Sequence, residues 1–201
     1  MLNRENKLNK HVARLLGILG MVCFALNSCQ EDMPVPKPPT YLKNNFPAHT
    51  YIKKQENCGY SFDLNKLYTI KNVYDSSKKI TCHKDIDLGP LNGVIHFSYI
   101  EMDKPLSVYV NYSNDKVDEH KLKATAIIDK RFIRSKDRVF GTFFELQGNV
   151  ASPFHFYLTD STTKFASGIV YFNSVPNYDS LRPSLEYLKV DLLKMIETFT
   201  W

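Results

Sequence analysis

The stretch from Val139 to Phe172 constrains this chain most: three short runs with strand character, separated by two compact polar loops. Phe140, Thr142, Phe144 and Leu146 alternate with Gly141, Phe143 and Glu145, the two-residue period of a β-strand. After the loop GNVASP, residues 148–153, Phe154, Phe156 and Leu158 alternate with His155, Tyr157 and Thr159. After TDSTTK, Phe165, Ile169 and Tyr171 take one face, and Ala166, Val170 and Phe172 the other. Strands this close in sequence form an antiparallel meander. Aromatic residues occur on both of its faces, so neither can be left wet, and helices must supply the cover.

The tail supplies one such helix. Leu185, Leu188, Leu192, Met195, Ile196 and Phe199 recur at three- and four-residue steps, which predicts an amphipathic helix of about four turns. Asp179 or Ser180 is the expected cap, with Pro183 tolerated in the first turn. Upstream, Tyr60–Leu64, Tyr68–Tyr74 and Val94–Met102 read as strands, and Gly89–Gly93 (GPLNG) reads as a turn. Ser107–Lys123 reads as a mostly polar helix because its charged second half outweighs SVYVNY, and Ala124–Ile133 reads as a strand feeding the meander. The expected fold class is therefore α+β: an antiparallel β-sheet with helices packed on it and a C-terminal amphipathic helix.

The start of the chain indicates a compartment. Arg4, Lys7, Lys10 and Arg14 precede an apolar run from Leu15 to Leu26, too short to span a bilayer with ease and suited to a signal peptide. Leu26-Asn27-Ser28-Cys29 then matches a bacterial lipobox, making Cys29 the expected lipidation site. Residues 1–28 are read as the leader. Residues 29–40 form an acidic then Pro-rich tether (Glu31, Asp32, Pro34, Pro36, Pro38, Pro39), and residues 41–201 a single domain. Proline at this density favours polyproline II, so the stretch from Cys29 to Tyr41 would make a stalk of roughly 35–40 Å. The leader holds four basic residues against Glu5, so of the formal net charge of +5 only +2 remains after it. That is no argument for nucleic acid.

With Cys23 in the leader and Cys29 lipidated, Cys58 and Cys82 remain, and an even remainder in an exported chain reads as a disulfide. The alternative is a metal or redox site using His83, Asp85 and Asp87 behind Cys82, but no second Cys/His pair accompanies them. Ser152, His155 and Asp160 suggest a catalytic triad, yet neighbours on one strand rarely make the nucleophile–base bond, and no G-x-S-x-G elbow is present. Glu145 with Asp160, or His83 with Asp85 and Asp87, could be acid–base pairs only if folding set them in a cleft. The GNVASP loop reads as a constrained hairpin, with Asn149 and Ser152 as candidate partner contacts. No catalytic residue, metal site or cofactor is expected.

The block from Gly141 to Trp201 resembles the C-terminal half of the GldD family, gliding-motility lipoproteins of Bacteroidetes-type bacteria. The similarity rests on the GNxASP turn, the FYLTDST and YFNxxPNYDSL runs and the terminal TxW, and PKPPTYLKNNFP resembles the segment behind that family's lipidated cysteine. Cys58 and Cys82 fall where its paired cysteines do. The resemblance implies a non-enzymatic cell-envelope lipoprotein needed for gliding motility and type IX protein secretion. Such a protein would be anchored by lipid to a membrane, the outer one favoured, and would dock on components of that machinery. At the level of fold, a meander followed by a terminal helix is also similar to the PsbP/Mog1-like architecture. The competing reading is a ligand-binding or hydrolytic envelope lipoprotein acting on a cell-wall or lipid fragment. Replacing Cys29→Ser should abolish acyl labelling and release the protein from membranes; persistent labelling would show that another residue carries the lipid.

Overall fold

The meander forms as its alternation requires. In a computed structural model that describes residues 45–201, it consists of β7 (Val139–Gly148), β8 (Phe154–Thr159) and β9 (Lys164–Phe172), paired antiparallel in sequence order. The leader, Cys29 and the tether lie outside the described residues. The meander sits within a seven-stranded sheet completed by β3 (Thr69–Tyr74), β4 (Ile80–Asp87), β5 (Gly93–Glu101) and β6 (Ala124–Arg134). Its strand order is β3-β4-β5-β9-β8-β7-β6. A separate two-stranded hairpin, β1 (Tyr51–Gln55) with β2 (Ser61–Asn65), and two helices, α1 (Leu106–Asp118) and α2 (Tyr178–Thr198), complete the α+β fold.

Alternation assigns the two faces. Phe143, Phe154, Phe156, Leu158, Ala166 and Val170 are buried in the main core, where Leu188, Leu192 and Ile196 of α2 and Phe62 of β2 join them. Register aligns Phe143, Phe156, Gly168 and Phe97 in one row across four strands. Gly168 leaves room for its neighbour, since a Cβ there would come within 2.2 Å of the Phe156 ring. The opposite face carries His155, Tyr157 and Phe165. It meets α1, through the Tyr109–Phe165 ring contact, and through a small second core of Val117, Leu146 and Val150.

Helix α2 differs from its expected form. It runs 21 residues, and Asn177 caps it by accepting from the Ser180 N–H at 3.2 Å, in place of Asp179 or Ser180. The earlier start puts Pro183 beyond the first turn, where it has no N–H to offer the Asp179 carbonyl. Strands β1 and β4 were not expected from the sequence, because YIKKQ carries little apolar alternation and in ITCHKDID the alternation of Ile80, Cys82 and Ile86 is interrupted by Lys84. None of the helices in the described residues is long and apolar enough to cross a membrane.

The hairpin tip is fastened to the large sheet. Cys58 and Cys82 are bridged, with Cα atoms 5.8 Å apart, and Lys84 of β4 lies 3.2 Å from the Glu56 carboxylate while donating to Asn72 at 2.8 Å. A crosslink across 24 residues contributes about 3–3.5 kcal/mol on the chain-entropy model. Replacing both cysteines by alanine should therefore lower the melting temperature by roughly 10 °C. An unchanged melting curve, or two free thiols in protein isolated from the envelope, would remove the bridge from the account.

Candidate functional site

The GNVASP loop marks the place where the two helical layers meet around one end of the sheet. The Leu146 N–H donates to the Pro153 carbonyl at 2.8 Å, closing the loop. Gly148 has φ +111°, and a Cβ there would stand 2.7 Å from the Lys123 carbonyl. The loop is only in part the exposed contact expected from its sequence. Val150 is buried against Val117 and Leu146, and Ser152 is fully buried, so Ser152 does not form part of the surface. Hairpin-tip reasoning failed because the loop folds back under the end of α1. Asn149 and Ala151 stay exposed, and Asn149 Oδ1 accepts from the Tyr178 N–H at 2.9 Å.

Ser152 instead joins two imidazoles. Its hydroxyl lies 2.6 Å from His155 Nε2 and 2.8 Å from His120 Nε2, so it donates to one ring and accepts from the other. Burial, reinforced by the neighbouring His120, pushes the His155 pKa down to about 4, and burial also lowers that of His120. The Ser152–His155 bond thus forms, contrary to the expectation for neighbours on one strand, because Ser152 turns toward the α1 side where His155 points. A triad does not result. Asp160, beyond the far end of β8, accepts the N–H groups of Thr162, Thr163 and Lys164 at 2.8 Å each. Burial opposes its ionisation, but those donors outweigh it and hold its carboxyl well below the usual range. Ser152 has no surface for a substrate to reach.

On the opposite face of the sheet, beside the loop, α2 and the ends of β7 and β8 enclose a cleft of about 420 Å³. Pro153, Phe154 and Leu185 supply its apolar part. Its charges come as two opposed pairs, Lys189 with Glu145 and Arg182 with Glu186 at 3.0 Å. Tyr178 lines it too, with its phenol pKa raised by burial and by Glu145. The volume suits a small ligand or an inserted side chain or two, and the alternating charges suit a partner carrying both signs.

The other candidates are dispersed. Glu145 pairs with Phe154 at the start of β8, while Asp160 follows its end, so these carboxylates do not form a pair. His83 accepts from the Tyr99 N–H at 3.2 Å, Asp85 meets His96 at 2.6 Å, and Asp87 holds Lys71 at 2.6 Å. No group of three potential metal ligands occurs among the described residues. The sequence reading missed Asp191. This buried carboxylate on α2 accepts from His49 at 2.7 Å, Tyr51 at 2.8 Å, Asn65 at 3.0 Å and Tyr68 at 2.5 Å. In the sequence it reads as one more polar position of an amphipathic helix, and nothing nearby marks it.

The buried imidazole of His155 makes stability pH-dependent. The folded pKa of His155 lies below its unfolded value, so the unfolded chain binds more protons between about pH 6.5 and pH 4. Stability is then complete above about pH 6.5 and falls, by about 3 kcal/mol at most, as acid takes the protein through pH 4. Urea unfolding at pH 7 and pH 4.5 should show this loss, and His155→Gln should flatten it. Equal slopes for the two proteins would exclude His155 as the source.

No curated protein and no solved structure matches the chain. The family described as gliding motility lipoprotein GldD matches residues 31–201, which covers the hairpin, the seven-stranded sheet and both helices. The chain belongs to the GldD family of gliding motility lipoproteins.

Proposed function

We propose that this lipoprotein serves gliding motility, and the type IX protein secretion associated with it, by docking on components of that machinery and not by catalysis. Membership of the GldD family is the observation that carries the reading. In it, lipid on Cys29 anchors the protein to a membrane of the cell envelope, the outer membrane being favoured, and the folded domain offers the cleft beside the GNVASP loop to a partner protein. Asn149 and Ala151 form the exposed rim of that loop, while Ser152 acts from behind by fixing its shape. The hydrolytic alternative loses its best candidate, because the Ser152 hydroxyl is enclosed and committed to two imidazoles.

The test uses charge at the rim. Glu186 is two-thirds exposed, so Glu186→Arg together with Ala151→Arg should leave expression, lipidation and melting temperature nearly unchanged. Cells carrying that double variant should lose spreading on agar and secretion of type IX cargo. Full motility would retire the cleft as the docking site. Loss of both processes on Ser152→Ala alone, with the fold and pH profile intact, would restore the enzymatic reading.

A further inference from the structure

The large sheet protects one edge and leaves the other open. Strand β3 has six residues, and its register with β4 shifts between Asn72 and Tyr74, a device that blunts an edge. Strand β6 has 11 residues, contains no proline, and keeps unbroken register with β7 from Ala126 to Arg134. No described strand pairs with its outer side. Ile133 is 73% exposed there and Ile128 is 48% exposed. Such an edge presents unused backbone donors and acceptors to another chain.

The side chains identify which chain. Asp129 lies opposite Phe144, Arg131 opposite Thr142 and Ile133 opposite Phe140, so Ile127, Asp129, Arg131 and Ile133 share the α1 face. The order Ile-Asp-Arg-Ile is complementary to itself when read in the opposite direction. We propose that β6 pairs antiparallel with β6 of a second copy of this protein, about a two-fold axis at Lys130, joining two seven-stranded sheets into one. In that register Ile127 faces Ile133 of the second copy and Asp129 faces its Arg131, and each pairing occurs twice. On the other face Ile128 meets Phe132. Lys130 meets its own equivalent, but each ammonium has a Glu197 carboxylate at 3.7 Å. Sliding the pairing by two residues in either direction sets Asp129 against Asp129 or Arg131 against Arg131, so the charges select one register. Asp129 and Arg131 make no hydrogen bond or ion pair within the described residues, which leaves both available.

The test is a charge swap on the full-length lipoprotein, purified from membranes in detergent and followed by sedimentation equilibrium. The unaltered protein should dimerise. Asp129→Arg and Arg131→Asp should each weaken the dimer about tenfold or more, because like charges then meet twice. The double swap should restore the affinity to within about threefold. Both residues are exposed, so circular dichroism should be unchanged throughout. Directly opposed Cα atoms on antiparallel strands are about 4.5–5.5 Å apart, within disulfide reach. Oxidised Lys130→Cys protein should therefore form a covalent dimer, whereas Tyr74→Cys on the other edge should not. A monomer at every concentration, a double swap no better than the single ones, or association through β6 with a different protein would each overturn the proposal.

Discussion

The Asp191 carboxylate holds together parts of the molecule that the sheet alone does not connect. It is buried, and a buried carboxylate is costly unless donors surround it. Those donors come from the segment before β1, from β1, from β2 and from the connection to β3: His49, Tyr51, Asn65 and Tyr68. The phenols of Tyr51 and Tyr68 are pushed upward by burial and by the carboxylate they serve. Tyr187, one turn before Asp191 on α2, stacks on His49 with ring centroids 4.1 Å apart and on Phe46 at 4.7 Å. One helical turn therefore organises the whole N-terminal side of the described residues.

The two layers on the sheet are unequal. Helix α2 buries seven of its residues, among them Leu188, Leu192 and Ile196, and shares the main core with the aromatic cluster of Tyr60, Phe62, Phe97 and Phe199. Helix α1 buries only Val117 and relies on the GNVASP loop to complete its small core. That loop is thus a structural joint between the layers: Ser152 reaches the turn after α1, and Asn149 reaches the first residue of α2. The cleft lies beside it on the side of α2, the more deeply buried of the two helices.

Patterned segments were legible in the sequence, and contact-determined ones were not. Strands β7, β8 and β9 and the amphipathic α2 follow from apolar period, because one face of each must leave water, whereas the polar α1 was legible only through its charged second half. Strand β1 was not legible, since Tyr-Ile-Lys-Lys-Gln is held by pairing with β2 and carries little apolar signal. The buried state of Val150 and Ser152 was hidden for a related reason: six residues between strands look like a tip, and only the approach of α1 converts them to interior. Asp191 was unreadable because its donors lie more than 120 residues away in the chain. The family resemblance singled out the loop, but the cleft beside it depends on α2 side chains whose placement is tertiary.

The hairpin β1–β2 is the first regular element of the described residues, and it is secured at both ends. Its tip is joined to β4 by the disulfide and by Lys84 with Glu56. Its mouth, where Tyr51 stands opposite Asn65, is the place a tensile load arriving from the N-terminal side would unzip one pair at a time. Asp191 binds both residues of that terminal pair. Traction on the chain therefore reaches a clasped mouth and is passed to the long axis of α2 before any strand of the large sheet bears it.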